Sequence, residues 1–100
     1  MVTIHMAAKP IRVGILGDFH PDYHSHLATN ESLQHAARAL GREVHSEWVP
    51  TPSLADAGAG KSLARFDALW ISPGSPYNSM AGMLAGIERT RLGHWPVIAT

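Results

Sequence analysis

Several short stretches of this sequence combine residue types that can do chemistry. The first, ADAGAGKS at residues 55–62, ends like a phosphate-binding loop, in which backbone N–H groups surround the phosphates while a Lys and a hydroxyl reach the ligand and its metal. Ala55 stands where that motif has its first Gly, and Pro50 and Pro52 separate the stretch from any preceding strand. Because the structural context that the motif requires is missing, we interpret the stretch as a surface loop.

A second stretch, DFHPDYHSH at residues 18–26, concentrates imidazole and carboxylate groups. Zinc and other divalent ions accept such ligands, and the candidates are Asp18, His20, Asp22, His24 and His26. The stretch follows a predicted strand, and ligands of parallel α/β sheets bind outside the carboxyl ends of the strands. A metal site, a plain polar loop and the lining of a ligand site all stay open, with the metal site the least favoured. We therefore predict no metal and no other cofactor.

A third stretch, SPGSPYNS at residues 72–79, follows another predicted strand at the same edge. A Gly-containing turn in this place can present successive backbone N–H groups outward. That is the arrangement of an oxyanion hole, which holds the negative charge that develops during acyl transfer. Taken alone, the stretch favours an ordinary strand-to-helix turn.

The composition excludes several classes of protein. Eight basic residues balance eight acidic ones, so the chain lacks the charge that nucleic acid or an anionic membrane would attract. It has no Cys, which excludes a disulfide framework, a thiolate zinc site and a Cys nucleophile within these residues. No run approaches the roughly 18 apolar residues of a membrane-spanning helix. We predict a globular, cytoplasmic protein with neither nucleic acid nor membrane as a partner.

Alternating strands and helices must position these stretches. Apolar runs with β-branched residues predict buried strands, and an alternation of polar and apolar residues predicts a strand nearer the sheet edge. The predicted strands are residues 11–18, 43–49 (the edge strand), 67–74 and 97–100. The predicted helices are residues 25–40, a short one around 62–66, and 80–92. This order predicts one doubly wound layer, with a parallel sheet covered on both faces.

Apolar residues at three- and four-residue spacing predict the buried faces of the two long helices. In the first helix, which Gly41 is expected to end, they are Leu27, Leu33, Ala36, Ala37 and Leu40. In the second helix they are Met80, Met83, Leu84 and Ile87. The same two Met residues, together with Trp70 and Trp95, are interpreted as packing rather than as a cofactor site.

Taken together, the segments IRVGILGDF, HAARALGREVHSEWVPTPSL, FDALWISPGSPYNSMAGMLAGIERTR and WPVIAT resemble the amidotransferase domain of the CTP synthase family. They are most similar to a bacterial group of CTP synthase C-terminal-region-related proteins. The resemblance runs over residues 11–100, and its most specific part is WISPGSPYNSM at its spacing from PVIAT. Residues 1–10 are interpreted as an N-terminal extension.

The resemblance implies a three-layer, flavodoxin-like α/β fold of the class I glutamine amidotransferase type, with a mostly parallel sheet. Residues 11–100 would then be the N-terminal half of that domain, truncated after the fourth strand. In the family, a turn that matches Pro73, Gly74 and Ser75 supplies an oxyanion-hole N–H, with a second Gly where Ser75 stands here. Gly74 and Ser75 are therefore the oxyanion-hole candidates. His20 and Tyr77 are predicted to bind substrate at the lip of the site.

The resemblance also implies that a nucleophile follows PVIAT directly, at position 101, and that its His base comes much later in the chain. A shortened product, a split gene and a selenocysteine codon read as a stop all remain open, since selenocysteine occupies that position in some members of the related group. The full-length protein is expected to hydrolyse glutamine or a related amide and release ammonia. These 100 residues alone are expected to be inactive and to self-associate.

Two other functions stay open at this point. One is a catalytically inactive ligand-binding or regulatory module, because a fold does not determine a function. The other is a small, complete interaction module of the flavodoxin-like type. The residue at position 101 distinguishes the first of these from an enzyme, since a Cys or a selenocysteine there favours chemistry.

Overall fold

The computed structural model of the protein describes residues 9–72, 77–93 and 95–99. Its strands are β1 (Ile11–Leu16), β2 (Val44–Val49), β3 (Ala68–Ile71) and β4 (Val97–Ala99). Its α-helices are α1 (His24–Leu40), α2 (Ala59–Leu63) and α3 (Met80–Gly93), and a 3₁₀ helix spans Thr51–Ala55. Strands and helices alternate along the chain, which confirms the predicted α/β class.

The four strands form one parallel sheet in the order β2-β1-β3-β4. This is the strand order of flavodoxin-like sheets, in which the direction of winding reverses between β1 and β3. The position of β2 at one edge of this sheet confirms the interpretation of its alternating pattern. Within the described residues, no helix is both long enough and apolar enough to cross a membrane.

One face of the sheet carries the main hydrophobic core. Successive side chains of a strand point to opposite faces, and Leu16 and Leu69 lie on the face that packs against α2, α3 and the 3₁₀ helix. The buried members of this core are Leu16, Val49, Leu54, Leu63, Phe66, Leu69 and Met83. Trp95 packs against the same core, and its indole N–H donates to the Phe66 carbonyl at 3.1 Å, which agrees with its predicted packing role.

The opposite face is covered only over part of its width. Ile15 is fully buried there and is in register with Trp70 of β3, which in turn is in register with Ile98 of β4. Helix α1 packs beside β2, where the Trp48 indole N–H donates to Asn30 Oδ1 at 2.8 Å. At the other side of the sheet, Ile98 is 54% exposed. The described residues therefore leave an apolar surface along β4.

Helix α1 ends as the sequence predicts, but it buries a different face. Gly41 has the left-handed backbone conformation (φ 65°) that glycine adopts most readily at a helix end. The buried residues of the helix are His26, Thr29 and Ala37. The prediction was wrong for Leu27, Ala36 and Leu40, which are exposed. The helix meets the sheet through ring and amide contacts with Trp48, at 4.6 Å between the ring centres of His26 and Trp48.

Helix α3 packs through its small residues, because its backbone lies very close to the 3₁₀ helix. A Cβ on Gly82 would lie 1.8 Å from the Thr51 carbonyl oxygen, and one on Gly86 would lie 2.8 Å from Leu54 Cδ1. Met83 is buried as predicted. The prediction was wrong for Met80 and Leu84, which are 54% and 59% exposed, so Met80 is not a packing residue.

The segment between β2 and β3 contains more helix than the sequence indicated. The predicted short helix at 62–66 was misplaced: α2 is Ala59–Leu63, and a 3₁₀ helix precedes it. Pro52 lies in the first turn of that 3₁₀ helix, where a missing N–H breaks no hydrogen bond. β1 ends at Leu16, before the predicted 18, and β3 ends at Ile71, before the predicted 74.

The close approach at Gly82 makes a clear prediction. Replacing an interior helix glycine by alanine ordinarily stabilises a helix by about 1 kcal/mol. In Gly82→Ala the new methyl would meet a backbone oxygen, so we expect the free energy of unfolding to fall by about 1–3 kcal/mol instead. Urea denaturation measures the free energy of unfolding. Gly58→Ala is the matched control, since a Cβ there meets nothing within 4 Å, and an equal loss in both variants would contradict the packing argument.

Candidate active site

The candidate site lies at the carboxyl edge of the sheet, where β1, β2 and β3 end side by side. The Gly17 N–H donates to the Val49 carbonyl at 3.0 Å, and the Ser72 N–H donates to the Leu16 carbonyl at 3.1 Å. These hydrogen bonds continue the parallel ladder by one residue beyond β1 and β3. The strand order reverses between these two strands, and open α/β sheets bind their ligands at such a point.

Gly17 allows the ends of β1 and β3 to approach closely. A Cβ at this position would lie 2.1 Å from Ser72 Oγ, so any other residue would collide with the serine side chain. Ser72 is only 1% exposed, and within the described residues its hydroxyl has no hydrogen-bond partner. Its own carbonyl accepts a hydrogen bond from the Tyr77 hydroxyl at 2.8 Å.

The Asp18 carboxylate connects three segments at this edge. Its Oδ1 accepts the Thr51 N–H at 2.9 Å, and its Oδ2 accepts both the Thr51 hydroxyl at 2.7 Å and the Asn78 N–H at 2.9 Å. The hydroxyl oxygen of Thr51 in turn accepts the Ser79 N–H at 2.8 Å. Ser79 then accepts the Gly82 N–H on its hydroxyl at 2.9 Å, and so caps the first turn of α3.

These contacts determine the charge state of Asp18. Burial raises the pKa of its carboxyl, but the hydrogen bonds from Asn78 and Thr51 lower that pKa by more, so the net shift is downward. The group is therefore an anion throughout the neutral range. Because its two oxygens already receive three donors, it is unsuited to act as a general base or to move protons.

The geometry of the 18–26 stretch does not favour a metal site. The His26 imidazole is only 3% exposed, and its Nδ1 accepts the His20 N–H at 3.0 Å. Asp18 is occupied by the hydrogen bonds just described. Among residues 9–72, 77–93 and 95–99, no group of three or more His, Cys, Asp or Glu side chains is placed to hold a metal ion.

His20, predicted to bind substrate, lies on the loop that follows β1. Its side chain is 49% exposed, and its ring stacks on Tyr23 at 4.5 Å between ring centres with 14° between the planes. The Asp22 N–H donates to its Nδ1 at 3.2 Å, which fixes the ring orientation. The imidazole is thus held at the surface of the carboxyl edge, and its contact with a substrate stays a prediction.

Tyr77, the other predicted substrate residue, is half-buried and packs against the hydrophobic core. Its hydroxyl proton is used by the Ser72 carbonyl, so this side chain anchors the end of β3. A substrate contact stays a prediction here too. The predicted oxyanion residues Gly74 and Ser75, with Pro73, lie outside the described residues.

The ADAGAGKS stretch does not form a phosphate loop. No strand runs into it, and it is not the surface loop that the sequence predicted throughout, because Ala55 ends the 3₁₀ helix and residues 59–62 belong to α2. A cavity of about 140 Å³ beside it is lined by Val49, Ser53, Leu54, Asp56, Gly58, Ala59, Ser62 and Leu63. Its charged lining residue is the anionic Asp56, and the exposed Lys61 is not part of the lining, so the cavity is unsuited to phosphate.

Sequence reasoning missed the part that Asp18 and Thr51 play together. Asp18 entered only as a possible metal ligand, and Thr51 was not singled out at all. The available signal was an Asp directly after the Gly that ends a buried strand, followed by a Thr directly after the edge strand and its Pro. Their contact joins residues 33 positions apart, which no local pattern reveals.

Comparisons with known proteins point to one family of enzymes. The CTP synthases of Deinococcus radiodurans and Methanothermobacter thermautotrophicus are 28% and 32% identical to this chain over 92 and 78 residues. The CTP synthase of Listeria innocua is 21% identical over 89 residues. These matches cover 89%, 78% and 89% of this chain. No protein-family model matches the chain.

The fold is that of part of a CTP synthase glutaminase domain. The solved glutaminase domain of Trypanosoma brucei CTPS with bound acivicin superposes with a TM-score of 0.75 at 18% identity, over 89% of this chain and 35% of that one. The chain spans less than a fifth of the length of the curated CTP synthases, at 17%, 14% and 17% of their residues. The chain is thus homologous to part of the amidotransferase domain of these enzymes.

The lowered pKa of Asp18 predicts how stability depends on pH. A carboxyl whose pKa is lower in the folded than in the unfolded chain stabilises the fold above the unfolded pKa, and this is lost as the pH falls through the folded pKa. At pH 7, Asp18→Asn should lower the free energy of unfolding by about 1–3 kcal/mol. The difference from the parent chain should shrink below about pH 4.

Urea denaturation at a series of pH values measures this difference. Asp22→Asn is the matched control, because Asp22 is an exposed carboxylate on the same loop, and its replacement should change the free energy of unfolding by less than about 0.5 kcal/mol. A penalty for Asp18→Asn that stays constant down to low pH would contradict the ionic role of the side chain.

Proposed function

We propose that this chain is the N-terminal portion of a glutamine amidotransferase-like domain, which in the full-length protein hydrolyses glutamine or a related amide and releases ammonia. The observation that carries the proposal is the superposition on a glutaminase domain whose bound molecule, acivicin, is a glutamine analogue. The similarity to CTP synthases over most of the chain supports the same assignment. A cytoplasmic location is part of the proposal.

In this proposal the reaction is an acyl transfer at the carboxyl edge of the sheet. A nucleophile at position 101, two residues after the end of β4, attacks the side-chain amide carbon of the substrate. The C–N bond breaks, ammonia leaves with a proton from the His base expected later in the chain, and water then hydrolyses the acyl-enzyme. The backbone N–H groups of Gly74 and Ser75 hold the negative charge that develops on the amide oxygen. His20 and Tyr77 line the entrance. The position of β4 beside β3 supports this arrangement, because it brings the end of β4 next to the strand that precedes Gly74 in the chain.

The identity of the residue at position 101 is the most direct test of this arrangement. We propose a Cys or a selenocysteine there. Sequencing the gene beyond codon 100 decides between them, since an in-frame TGA followed by a Gly-rich coding sequence supports selenocysteine and a Cys codon supports the ordinary enzyme. Noncoding sequence at this point would contradict a longer amidotransferase-like domain.

The catalytic roles predict the behaviour of the full-length protein. It should convert L-glutamine to glutamate and ammonia, measured by coupled detection of both products. Ser75→Pro, which removes one candidate N–H donor, should lower kcat by about 10²- to 10³-fold. Ser75→Ala retains that N–H and is the matched control, so its kcat should stay within a few-fold of the parent.

The outcomes of this assay separate the proposed enzyme from its main alternative. A full-length protein that binds acivicin, measured by calorimetry, but hydrolyses no glutamine would be a ligand-binding or regulatory module. A protein that does neither would contradict the proposal entirely. Equal losses in Ser75→Pro and Ser75→Ala would exclude the backbone N–H as the working group.

We further propose that the 100-residue chain self-associates through β4. Val97 and Ile98 are 40% and 54% exposed, and within the described residues β4 pairs only with β3. An exposed apolar strand edge readily pairs with another chain, and a charge on the edge prevents this. Ile98→Lys should therefore shift the chain toward monomer in sedimentation velocity. Leu40→Lys is the control on α1, and an equal shift in both variants would contradict the role of β4.

A further inference from the structure

We propose that the cavity between the 3₁₀ helix and α2 binds a small molecule that carries a protonated amine on a short apolar body. The cavity lies at the end of β2, since Val49, the last residue of that strand, forms part of its wall. This site is independent of the proposed function, because none of its residues takes part in the proposed acyl transfer.

The inner wall of the cavity is apolar and belongs to the packed interior. The wall residues, between 0% and 7% exposed, are Val49, Leu54, Ala59 and Leu63. Because packing holds these side chains, the wall is formed before any ligand arrives. The volume of about 140 Å³ is close to that of an engineered cavity of about 150 Å³ that holds benzene. A branched alkyl group or a single ring therefore fits this space.

The rim of the cavity supplies hydrogen-bond acceptors. Its polar residues, all exposed, are Ser53, Asp56 and Ser62. The Ser53 hydroxyl donates its single proton to the Pro50 carbonyl at 2.7 Å, so its lone pairs are left for another donor. Among the described residues, no side chain or N–H group donates to the Asp56 carboxylate. An ammonium group, which has three donors and no acceptor, matches this set of acceptors.

Backbone hydrogen bonds hold Asp56 at this rim. Its N–H donates to the Ser53 carbonyl at 3.3 Å, and its carbonyl accepts the Ala59 N–H at 3.0 Å. The residue is therefore fixed between the end of the 3₁₀ helix and the start of α2. On the other side of the cavity, the Ser62 N–H donates to the Gly58 carbonyl at 3.1 Å. The carboxylate thus stays beside the apolar wall.

The charges around the cavity favour a cation. Asp56 is the charged residue of the lining, and the nearby cations are directed elsewhere. Lys61 is exposed and does not line the cavity, and Arg89 lies beside Gly60, where its Nη1 is 3.0 Å from the position that a Cβ would take. A hydrogen bond between an ammonium group and a carboxylate is stronger than one between neutral groups. The amine of the ligand therefore faces Asp56, and its apolar body contacts the wall.

NMR titrations with three small molecules test this site. The molecules share one apolar body and differ in the head group: isobutylamine carries an ammonium group, isobutanol an uncharged hydroxyl and isobutyrate a carboxylate. Each is added to the ¹⁵N-labelled full-length protein at constant pH and ionic strength. The amide shifts of Leu54, Gly58 and Ala59 report binding at the cavity, and their concentration dependence gives Kd.

Two substitutions with matched controls identify the groups that bind. Asp56→Asn removes the charge at the rim, and Asp22→Asn removes an exposed carboxylate on another loop. Ser62→Leu adds bulk to the lining, and Ala57→Leu adds the same side chain at an exposed position outside the lining. The amide spectrum of each variant also shows whether it is folded.

Isobutylamine should bind with a Kd of about 1–10 mM, as expected for a ligand of so few atoms, and about tenfold more tightly than isobutanol or isobutyrate. Asp56→Asn should weaken the binding of isobutylamine by about tenfold, the loss expected for a hydrogen bond to a charged group, and should leave that of isobutanol within about twofold. Ser62→Leu should abolish the shifts with all three molecules. Asp22→Asn and Ala57→Leu should bind isobutylamine as the parent does.

Several results would overturn the amine site. Isobutylamine might leave the three amides unshifted, or the three molecules could bind equally well, or isobutyrate could bind best. Unchanged binding in Asp56→Asn, or an equal loss in Asp22→Asn, would exclude the carboxylate as the recognising group. Equal losses in Ser62→Leu and Ala57→Leu would exclude the cavity as the place of binding. None of these measurements uses glutamine hydrolysis, so this site and the proposed function can fail separately.

Discussion

The carboxylate of Asp18 is the interaction on which the carboxyl edge of this sheet depends. It lies just beyond β1 and accepts hydrogen bonds from the start of the 3₁₀ helix and from the residues that lead into α3. Its partners, Thr51 and Asn78, are 33 and 60 residues further along the chain. The Asp18 side chain therefore joins three strand-to-helix connections that the hydrogen bonds between the strands do not hold together. Since Thr51 is fully buried, loss of the carboxylate would leave its polar groups without their partner.

Close backbone approach makes these hydrogen bonds possible. Gly82 places α3 against the Thr51 carbonyl, and Gly17 allows Ser72 to lie against the end of β1. A side chain at position 82 would push α3 away from the 3₁₀ helix, and one at position 17 would collide with the Ser72 side chain. The hydrophobic core behind them then stabilises the arrangement, with Leu16, Leu54 and Met83 almost completely removed from water. The hydrogen bonds at the edge and the glycine contacts behind them depend on the same close packing of the elements.

The proposed reaction takes place at this edge of the sheet. An amidotransferase reaction needs a nucleophile, a base and oxyanion donors from separate segments, and such groups are usually carried by loops on a rigid sheet. In the proposed function these segments meet at the carboxyl edge, and the described residues have the fold of part of a solved glutaminase domain. The relatives share 21% to 32% identity over most of this chain, which in turn covers less than a fifth of their length.

Local patterns in the sequence were enough to predict the alternation of strands and helices, the edge position of β2, the end of α1 at Gly41 and the parallel sheet. Each of these depends on residues within a few positions of one another, such as a run of β-branched residues or a glycine in the left-handed conformation. The buried faces of α1 and α3 were predicted only in part. Large apolar residues such as Leu40 and Met80 lie exposed, because glycine and ring contacts with other elements determine the orientation of each helix.

The same distinction holds for the candidate site. The sequence placed His20, Tyr77 and the Gly74 turn near the ends of strands, since order along the chain is enough to assign a residue to an edge. Only the packed structure revealed that Asp18 and Thr51 hold that edge together. Their contact depends on how two crossovers fold back over the sheet, and residues so far apart in the chain leave no periodic signal of meeting.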